Sequence, residues 1–331
     1  MAARAHIAEI GRLVGEGRIQ DALTVSQAVL RSDPGAEGLV DLVLRLRADL
    51  LAMQSLEAVR SSQEHLKRLS ATAAQQLVRD ILRDPRYDDP RRLERFGAQV
   101  ASQNEEDGML AEVFRRIGTT NETFFEFGVG NGLQNNTLQF LFRGWRGAWV
   151  EINQPKLAFI RQRFADPIGR GALQVTGSPV TAENIDEVVR SLGLPEDLDL
   201  LSIDIDGNDY HVWKALGAIR PRVVIIEYNP RFPPPIRVVK QYDPDYRWSA
   251  DTDIGASLQS LTDLATAKGY DLVGTCIGGI NAIYVRSDVA GDLFLKSATA
   301  ADFFHHARFQ ISFSGGFGVG HPSTYVPFDT E

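Results

Sequence analysis

The chain has 331 residues, of which 44% are hydrophobic and 24% charged, a composition typical of a folded globular protein and not of a disordered one. Its formal net charge of -8 argues against a nucleic-acid partner, because phosphate binding depends on clustered lysine and arginine. The single cysteine, Cys276, excludes an internal disulfide and a cysteine-rich zinc site. We find neither a signal peptide nor an apolar run near the ~20 residues of a membrane span, and therefore expect a cytoplasmic protein.

The N-terminal region carries helical patterns. Apolar residues recur at helical spacing on both sides of the glycines at 15 and 17, which predicts a helical hairpin. A coiled-coil-like seam follows at Leu39, Val43, Leu46, Leu50 and Met53. We predict a helical region over residues 1–90 that ends in the charged, proline-containing segment 84–90, and we expect it to support a homo-oligomer.

Beyond residue 90 the pattern changes to short apolar runs that alternate with helical segments. The runs lie at residues 123–127, 148–150, 173–175, 198–205, 223–226, 272–274 and 282–285. This alternation predicts an α/β fold with a doubly wound, mainly parallel, seven-stranded Rossmann-like sheet over residues 91–290. The last two runs are close enough to form an antiparallel hairpin at a sheet edge. Residues 291–331 are predicted to form a tail or lid.

A glycine turn follows the first predicted strand. Gly128, Gly130 and Gly132 are spaced two apart, so the dinucleotide fingerprint Gly-x-Gly-x-x-Gly is not matched. Glu126 stands two residues before the turn, where its charge would repel a pyrophosphate and attract the amino and sulfonium groups of S-adenosylmethionine (SAM). The charge therefore favours SAM over NAD as the cofactor.

The second strand ends in Glu151, where a carboxylate can accept hydrogen bonds from both hydroxyls of a ribose. NAD and SAM share this requirement, so Glu151 supports a nucleoside ligand without choosing between them. Side chains around the turn and after the third strand complete the predicted cofactor set, which also includes Asn131, Asn136, Ser178 and Asp204. The alternative for the polar residues 135–137 is a helix cap.

Acidic residues follow the fourth and fifth strands. By the period of two of a strand, Asp204 and Asp206 are expected on one side together with Ser202. Glu227 and Asn229 follow the next strand, so a hard cation such as Mg²⁺ or Mn²⁺ would find oxygen ligands from two strand ends, at Asp204, Asp206, Glu227 and Asn229. The competing interpretation is metal-free, with Asp204, Asp206 or His211 as general base.

Segments 102–108, 126–132, 180–185, 202–209 and 227–229 together resemble the FkbM-type branch of class I SAM-dependent methyltransferases. The resemblance spans roughly residues 100 to 290. It implies an O-methyltransferase that acts on hydroxyls of sugars or other natural products. The sequence departs from the branch after the fourth strand, where Asp204-Ile205-Asp206-Gly207 replaces Asp-x-Glu-Gly, and in its helical N-terminus.

We therefore predict a SAM-dependent methyltransferase with a small-molecule or saccharide acceptor. The residues after the fifth strand, 231–253, and the segment 312–331 are expected to determine acceptor specificity. Two alternatives remain open at this stage. One is a SAM-binding or scaffolding module that acts through its N-terminal helices, and the other is an NAD-dependent oxidoreductase.

Overall fold

The computed structural model of the chain describes residues 2–32, 39–246, 255–296 and 299–308. Residues 247–253, predicted to contribute to acceptor specificity, lie outside the described part, as do residues 309–331 of the predicted tail or lid. The chain divides into two compact units, Met1–Leu69 and Ser70–Glu331. None of the described helices combines the length and the apolar character that a membrane crossing requires.

The helical N-terminal region is confirmed. It contains α1 (Ala2–Gly15), α2 (Ile19–Ser32) and α3 (Leu39–Ile81). Val43 and Leu46 of the predicted seam are 8% and 3% exposed, because they pack in one cluster with Ile10 and Leu13 of α1 and with residues of α2. The first residues of the seam therefore pack against α1 and α2 of the same chain.

The second unit carries the remaining elements, introduced by two short 3-10 helices at Pro85–Tyr87 and Glu94–Phe96. In chain order they are α4 (Glu106–Ile117), β1 (Thr123–Phe127), α5 (Leu138–Phe142), β2 (Arg146–Val150), α6 (Gln154–Arg163), α7 (Ala165–Gly169), β3 (Leu173–Thr176), α8 (Ile185–Ser191), β4 (Leu200–Ile203), α9 (Asp209–Ala215), β5 (Val223–Glu227), α10 (Leu258–Lys268), β6 (Tyr270–Thr275), β7 (Asn281–Arg286), α11 (Ser287–Ala290) and α12 (Ala300–Phe303).

The seven strands form one sheet in the order β3-β2-β1-β4-β5-β7-β6. Pairings from β3 to β5 are parallel, and β7 is antiparallel to both β5 and β6. The predicted seven-stranded sheet and its antiparallel edge hairpin are therefore confirmed. The strand order reverses between β1 and β4, and a doubly wound sheet binds its ligands in the crevice that such a reversal opens.

Each face of the sheet is covered by an apolar cluster. Phe125 and Phe127 of β1 belong to one cluster and Phe124 to the other, as the alternation of side chains along a strand requires. Burial on both sides explains why β4 and β5 read as continuous apolar runs in the sequence. Cys276 is fully buried in the second cluster, where it packs as a small apolar residue.

Candidate functional site

A cavity of about 790 Å³ lies at the carboxyl ends of β1, β4 and β5, where the strand order reverses. Its lining comes from the glycine turn, the two strand ends after it and the segment before α4. A second cavity of about 180 Å³ shares part of this lining and continues toward β2 and β3. Residues that border both are Gly128, Gly130, Lys156, Asp204 and Asp206.

The glycine turn is built by three residues with positive φ, each for its own reason. Gly128, at φ 88°, lies against the backbone of Asp204, so no side chain fits there. Gly132, at φ 75°, packs against the ring of Trp149 and lines neither cavity. Gly130, at φ 59°, faces open space and borders both cavities. Gly130 is therefore the glycine that leaves room for a ligand close to the backbone.

The carboxylate of Glu126 borders the larger cavity but is held by the protein. It accepts hydrogen bonds from the backbone N–H groups of Asn136 and Thr137 and from the hydroxyls of Thr137 and Ser202. Burial raises the pKa of Glu126, although these donors oppose the shift. Glu126 thus fixes the chain that follows the glycine turn.

Glu151 borders the smaller cavity directly after β2. One of its carboxylate oxygens, Oε1, accepts a hydrogen bond from the backbone N–H of Asn153 at 2.7 Å. This bond orients the side chain and leaves the other oxygen available, which is the arrangement a ribose hydroxyl needs. Lys156, in the first turn of α6, lies beside both Glu151 and the larger cavity.

Three carboxylates meet between the two cavities. One oxygen from each of Asp204, Asp206 and Glu227 can be chosen so that all three lie within 4.8 Å of one another. Burial and mutual repulsion raise the pKa values of Asp204 and Glu227 well above the ordinary range, and burial raises that of Asp206. Asn229 borders the same cavity. Three of the four residues proposed from the sequence as metal ligands are therefore brought to one place, and the fourth borders the same cavity.

The predicted reason for the proximity of Asp204 and Asp206 needs a correction. β4 ends at Ile203, so the period of two does not extend to these residues. They lie in a turn in which Asp206 has φ 59°, and Asp209 holds that turn by accepting the N–H groups of Ile205 and Gly207. The turn, and not the pleat of a strand, presents the two carboxylates.

The remaining predicted residues differ in their position. Asn131 and Asn136 border the larger cavity, where Asn136 Nδ2 donates to the hydroxyl of Ser202. His211 borders neither cavity, and its Nε2 hydrogen-bonds the carbonyl of Lys240 at 2.7 Å. Ser178 also lies outside both linings, beside the hydroxyl of Thr176. The predicted roles of all four residues remain predictions. The positions of His211 and Ser178 outside both cavities do not favour theirs.

Several cavity residues were missed by sequence reasoning. They are Gln103, Glu106, Lys156, Ile280 and Asn281. Glu106 accepts hydrogen bonds from Asn104 and from Asn281, of which Asn281 is far from it in sequence. A signal existed for Glu106, because it belongs to a segment that carries the family resemblance. The sequence holds no such signal for Asn281, since its position depends on the insertion of β7 next to β5.

No family model and no curated protein matches this chain. Among solved structures, an O-methyltransferase from Bacillus cereus in complex with SAH is 17% identical, with a TM-score of 0.37, over 65% of this chain and 90% of that one. A SAM-dependent methyltransferase from Aquifex aeolicus is 12% identical, with a TM-score of 0.33, over 65% and 97% of the two chains. The magnesium protoporphyrin IX methyltransferase from Synechocystis PCC 6803 is 13% identical, with a TM-score of 0.33, over 65% and 97%.

Likeness at these levels says nothing about activity, substrate or site residues. The sheet of this chain carries the fold assignment by its own topology. Its seven strands, with the antiparallel β7 inserted next to β5 and the reversal between β1 and β4, define a protein of the class I methyltransferase fold.

Proposed function

We propose that this chain is a SAM-dependent O-methyltransferase that transfers a methyl group to a hydroxyl of a small-molecule acceptor. The observation that carries the proposal is the acidic lining of the larger cavity. Five carboxyl groups border it, from Glu106, Glu126, Asp204, Asp206 and Glu227, against the cations of Lys156 and Arg231. A sulfonium or ammonium group beside these acids would stabilise their charged forms and oppose the rise in their pKa values, whereas a pyrophosphate would add to their repulsion, so the lining favours SAM.

The residues of the cleft fit SAM as its cofactor. Glu151 would accept the ribose hydroxyls, and the open space at Gly130 would let the cofactor lie against the backbone. Glu126 holds Asn136 and Thr137 in place and adds its charge. When bound, SAM supplies a methyl group already activated by its positive sulfur, so the protein has mainly to position the acceptor.

The acceptor hydroxyl must lose a proton during transfer, and the three carboxylates provide two routes. The raised pKa values of Asp204 and Glu227 suit a general base that takes up this proton. Their closeness to Asp206, with Asn229 on the same cavity, also suits a divalent cation such as Mg²⁺ or Mn²⁺. Such an ion would increase the acidity of the hydroxyl.

We propose a saccharide as the acceptor. Side-chain amides from Gln103, Asn131, Gln134, Asn229 and Asn281 border the cavity beside its carboxylates. An amide both donates and accepts hydrogen bonds, as each hydroxyl of a sugar also does. This lining supports a polyhydroxylated ligand, in agreement with the family resemblance.

Calorimetry with SAM, S-adenosylhomocysteine (SAH) and NAD⁺ tests the cofactor. We expect SAM and SAH to bind and NAD⁺ not to bind. Binding of NAD⁺ alone would favour an oxidoreductase, and absence of binding by SAM and SAH would overturn the proposal. Cofactor binding without methyl transfer to any hydroxyl acceptor would favour the scaffolding alternative.

Calorimetry with Mn²⁺ separates the two routes for the proton. If a cation binds here, Asp206→Asn weakens Mn²⁺ binding about 10-fold or more, whereas Asp245→Asn, an exposed acid outside the three-carboxylate cluster, does not. If the wild-type protein does not bind Mn²⁺ and methylates its acceptor fully in EDTA, Asp204 or Glu227 acts as base without a metal.

We further propose that two copies of the chain associate through α3. Val40, Leu44, Leu51 and Leu66 are all more than half exposed and recur at close to whole numbers of helical turns, so they lie on one side of α3. The small residues Ala48 and Ser55 continue the same side. A long apolar face is best covered by a helix of equal length and repeat, which a second copy of α3 provides.

A further inference from the structure

Three consecutive polar residues, Asn135, Asn136 and Thr137, lie between the glycine turn and α5. They differ in whether their side chains have hydrogen-bond partners. Asn136 donates from Nδ2 to Ser202, and Thr137 donates from its hydroxyl to Glu126. Asn135 is 5% exposed, yet neither its Oδ1 nor its Nδ2 has a hydrogen-bond partner. Asn135 is one of the residues that border the 790 Å³ cavity. It therefore places a buried, unpaired amide at the wall of the candidate site.

An unpaired buried amide lowers the stability of the folded protein. Polar groups inside proteins are almost always hydrogen-bonded, and leaving one unpaired costs about 1–3 kcal/mol. The same cavity holds a second group of this kind, because Oε2 of Glu227 is buried and has no partner either. A ligand in this cavity could complete the hydrogen bonds of both groups.

The three unpaired atoms distinguish between classes of ligand. A carboxylate or phosphate only accepts, so it would pair with Nδ2 of Asn135 and leave Oδ1 and Glu227 Oε2 unpaired. An ammonium group or a metal ion would pair with the oxygens and leave Nδ2 unpaired. A hydroxyl donates and accepts, so adjacent hydroxyls can satisfy all three atoms. The ammonium and carboxylate groups of SAM could do so together, and the affinity for SAH distinguishes this case from an acceptor.

We propose that Asn135 is an acceptor-binding residue whose amide accepts a hydrogen bond from one acceptor hydroxyl and donates one to its neighbour. This inference rests on the proposed function and assigns one of its residues. The segment carrying Asn135 is anchored by Glu126, which accepts the N–H groups of the next two residues. The amide is thereby positioned before the acceptor arrives, which reduces the entropy lost on binding.

Thermal unfolding without ligands tests whether the amide serves the protein itself. Asn135→Leu, close to Asn in shape, removes the unpaired group, so we expect its Tm to equal or exceed that of the wild type by up to roughly 4 °C. The matched variant Asn136→Leu loses the bond to Ser202 and should lower Tm. A comparable fall for Asn135→Leu would show that Asn135 stabilises the fold, and would overturn the proposal.

Ligand binding tests which molecule the amide serves. Calorimetry gives the SAH affinity, and saturation-transfer NMR with SAH present gives the binding of the methyl glycosides of glucose, galactose and mannose. We expect the wild type to bind at least one glycoside, and Asn135→Leu to weaken that binding about 10-fold or more while SAH affinity stays within about twofold.

The proposal is overturned if no glycoside binds the wild type, if Asn135→Leu binds glycosides equally well, or if its SAH affinity falls about 10-fold, since Asn135 would then serve the cofactor. Failure of the wild type to bind SAH is a different result. It would refute the proposed function, while the unfolding experiment would still report whether the amide is needed by the fold.

Discussion

Gly128 lies so close to Asp204 that a Cβ atom on Gly128 would come within 1.5 Å of the carbonyl oxygen of Asp204. The two residues follow β1 and β4, the neighbouring strands at which the sheet order reverses. This contact brings the glycine turn next to the turn that carries Asp204 and Asp206, and both residues border the two cavities. The proposed cofactor site and the proposed reaction site are thereby joined through backbone.

Gly128→Ala should be strongly destabilising. The new methyl group would collide with backbone that cannot move without separating β1 from β4, and we expect a loss of about 3 kcal/mol or more in unfolding free energy. Gly144→Ala is the matched control, because Gly144 has nearly the same φ, 89° against 88°, but nothing within 4 Å of the added atom. It should lose only about 1–2 kcal/mol. Equal losses in urea unfolding would contradict the importance of the contact.

Glu151→Gln should weaken SAH binding. The amide can still accept the N–H of Asn153 through its oxygen, but it loses the charge that strengthens bonds from the ribose hydroxyls. We expect SAH affinity, measured by calorimetry, to fall about 10-fold. Glu187→Gln, which removes an exposed charge on α8, should leave it unchanged. An unchanged affinity in Glu151→Gln would place the ribose elsewhere.

Stability should fall with rising pH because of Glu105. Burial, and the neighbouring charge of Glu106, raise the pKa of Glu105 from 4.5 to about 7. The folded state therefore holds this proton more tightly than the unfolded state does. The stabilisation is complete below pH 4.5 and is lost as the pH rises through about 7, on the order of 3 kcal/mol in total.

Glu105→Gln isolates this effect from the other acids. Glutamine keeps an oxygen that can accept the N–H groups of Ile277 and Gly278, but it does not titrate. Chemical unfolding at several pH values should show a shallower decline for the variant between pH 5 and pH 8. Parallel curves for the variant and the wild type would refute the assignment.

Association through α3 should be sensitive to charge on its apolar side. Leu51 and Leu66 are 63% and 64% exposed, so Leu51→Glu with Leu66→Glu should leave the fold intact and lower the mass in light scattering. Arg60→Glu, which changes charge on the opposite side of the helix, is the control and should retain the mass. The same mass in all three proteins would exclude this surface. Removing residues 1–90 should lower the number of associated chains as well, with SAH affinity nearly unchanged.

The sequence by itself determined the class of fold and indicated the main parts of the proposed cofactor site. Alternating strand and helix patterns predicted the parallel sheet, because periodicity is a local property. The glycine turn, Glu126 and Glu151 could be recognised since each stands at a fixed offset from a strand end. The acids at 204, 206 and 227 were predicted to meet because parallel strands end at one edge.

Only the tertiary structure decided which hydrogen-bond partners these groups have. The carboxylate of Glu126 accepts hydrogen bonds from the segment after the turn and also from the hydroxyl of Ser202. Ser202 is far from Glu126 in sequence, so this contact could not be predicted. Asn135 could not be separated from Asn136 by sequence, since the difference lies in which amide finds a partner after packing. Hydrogen-bond satisfaction and burial depend on neighbours brought together by folding, and no local pattern in the chain records them.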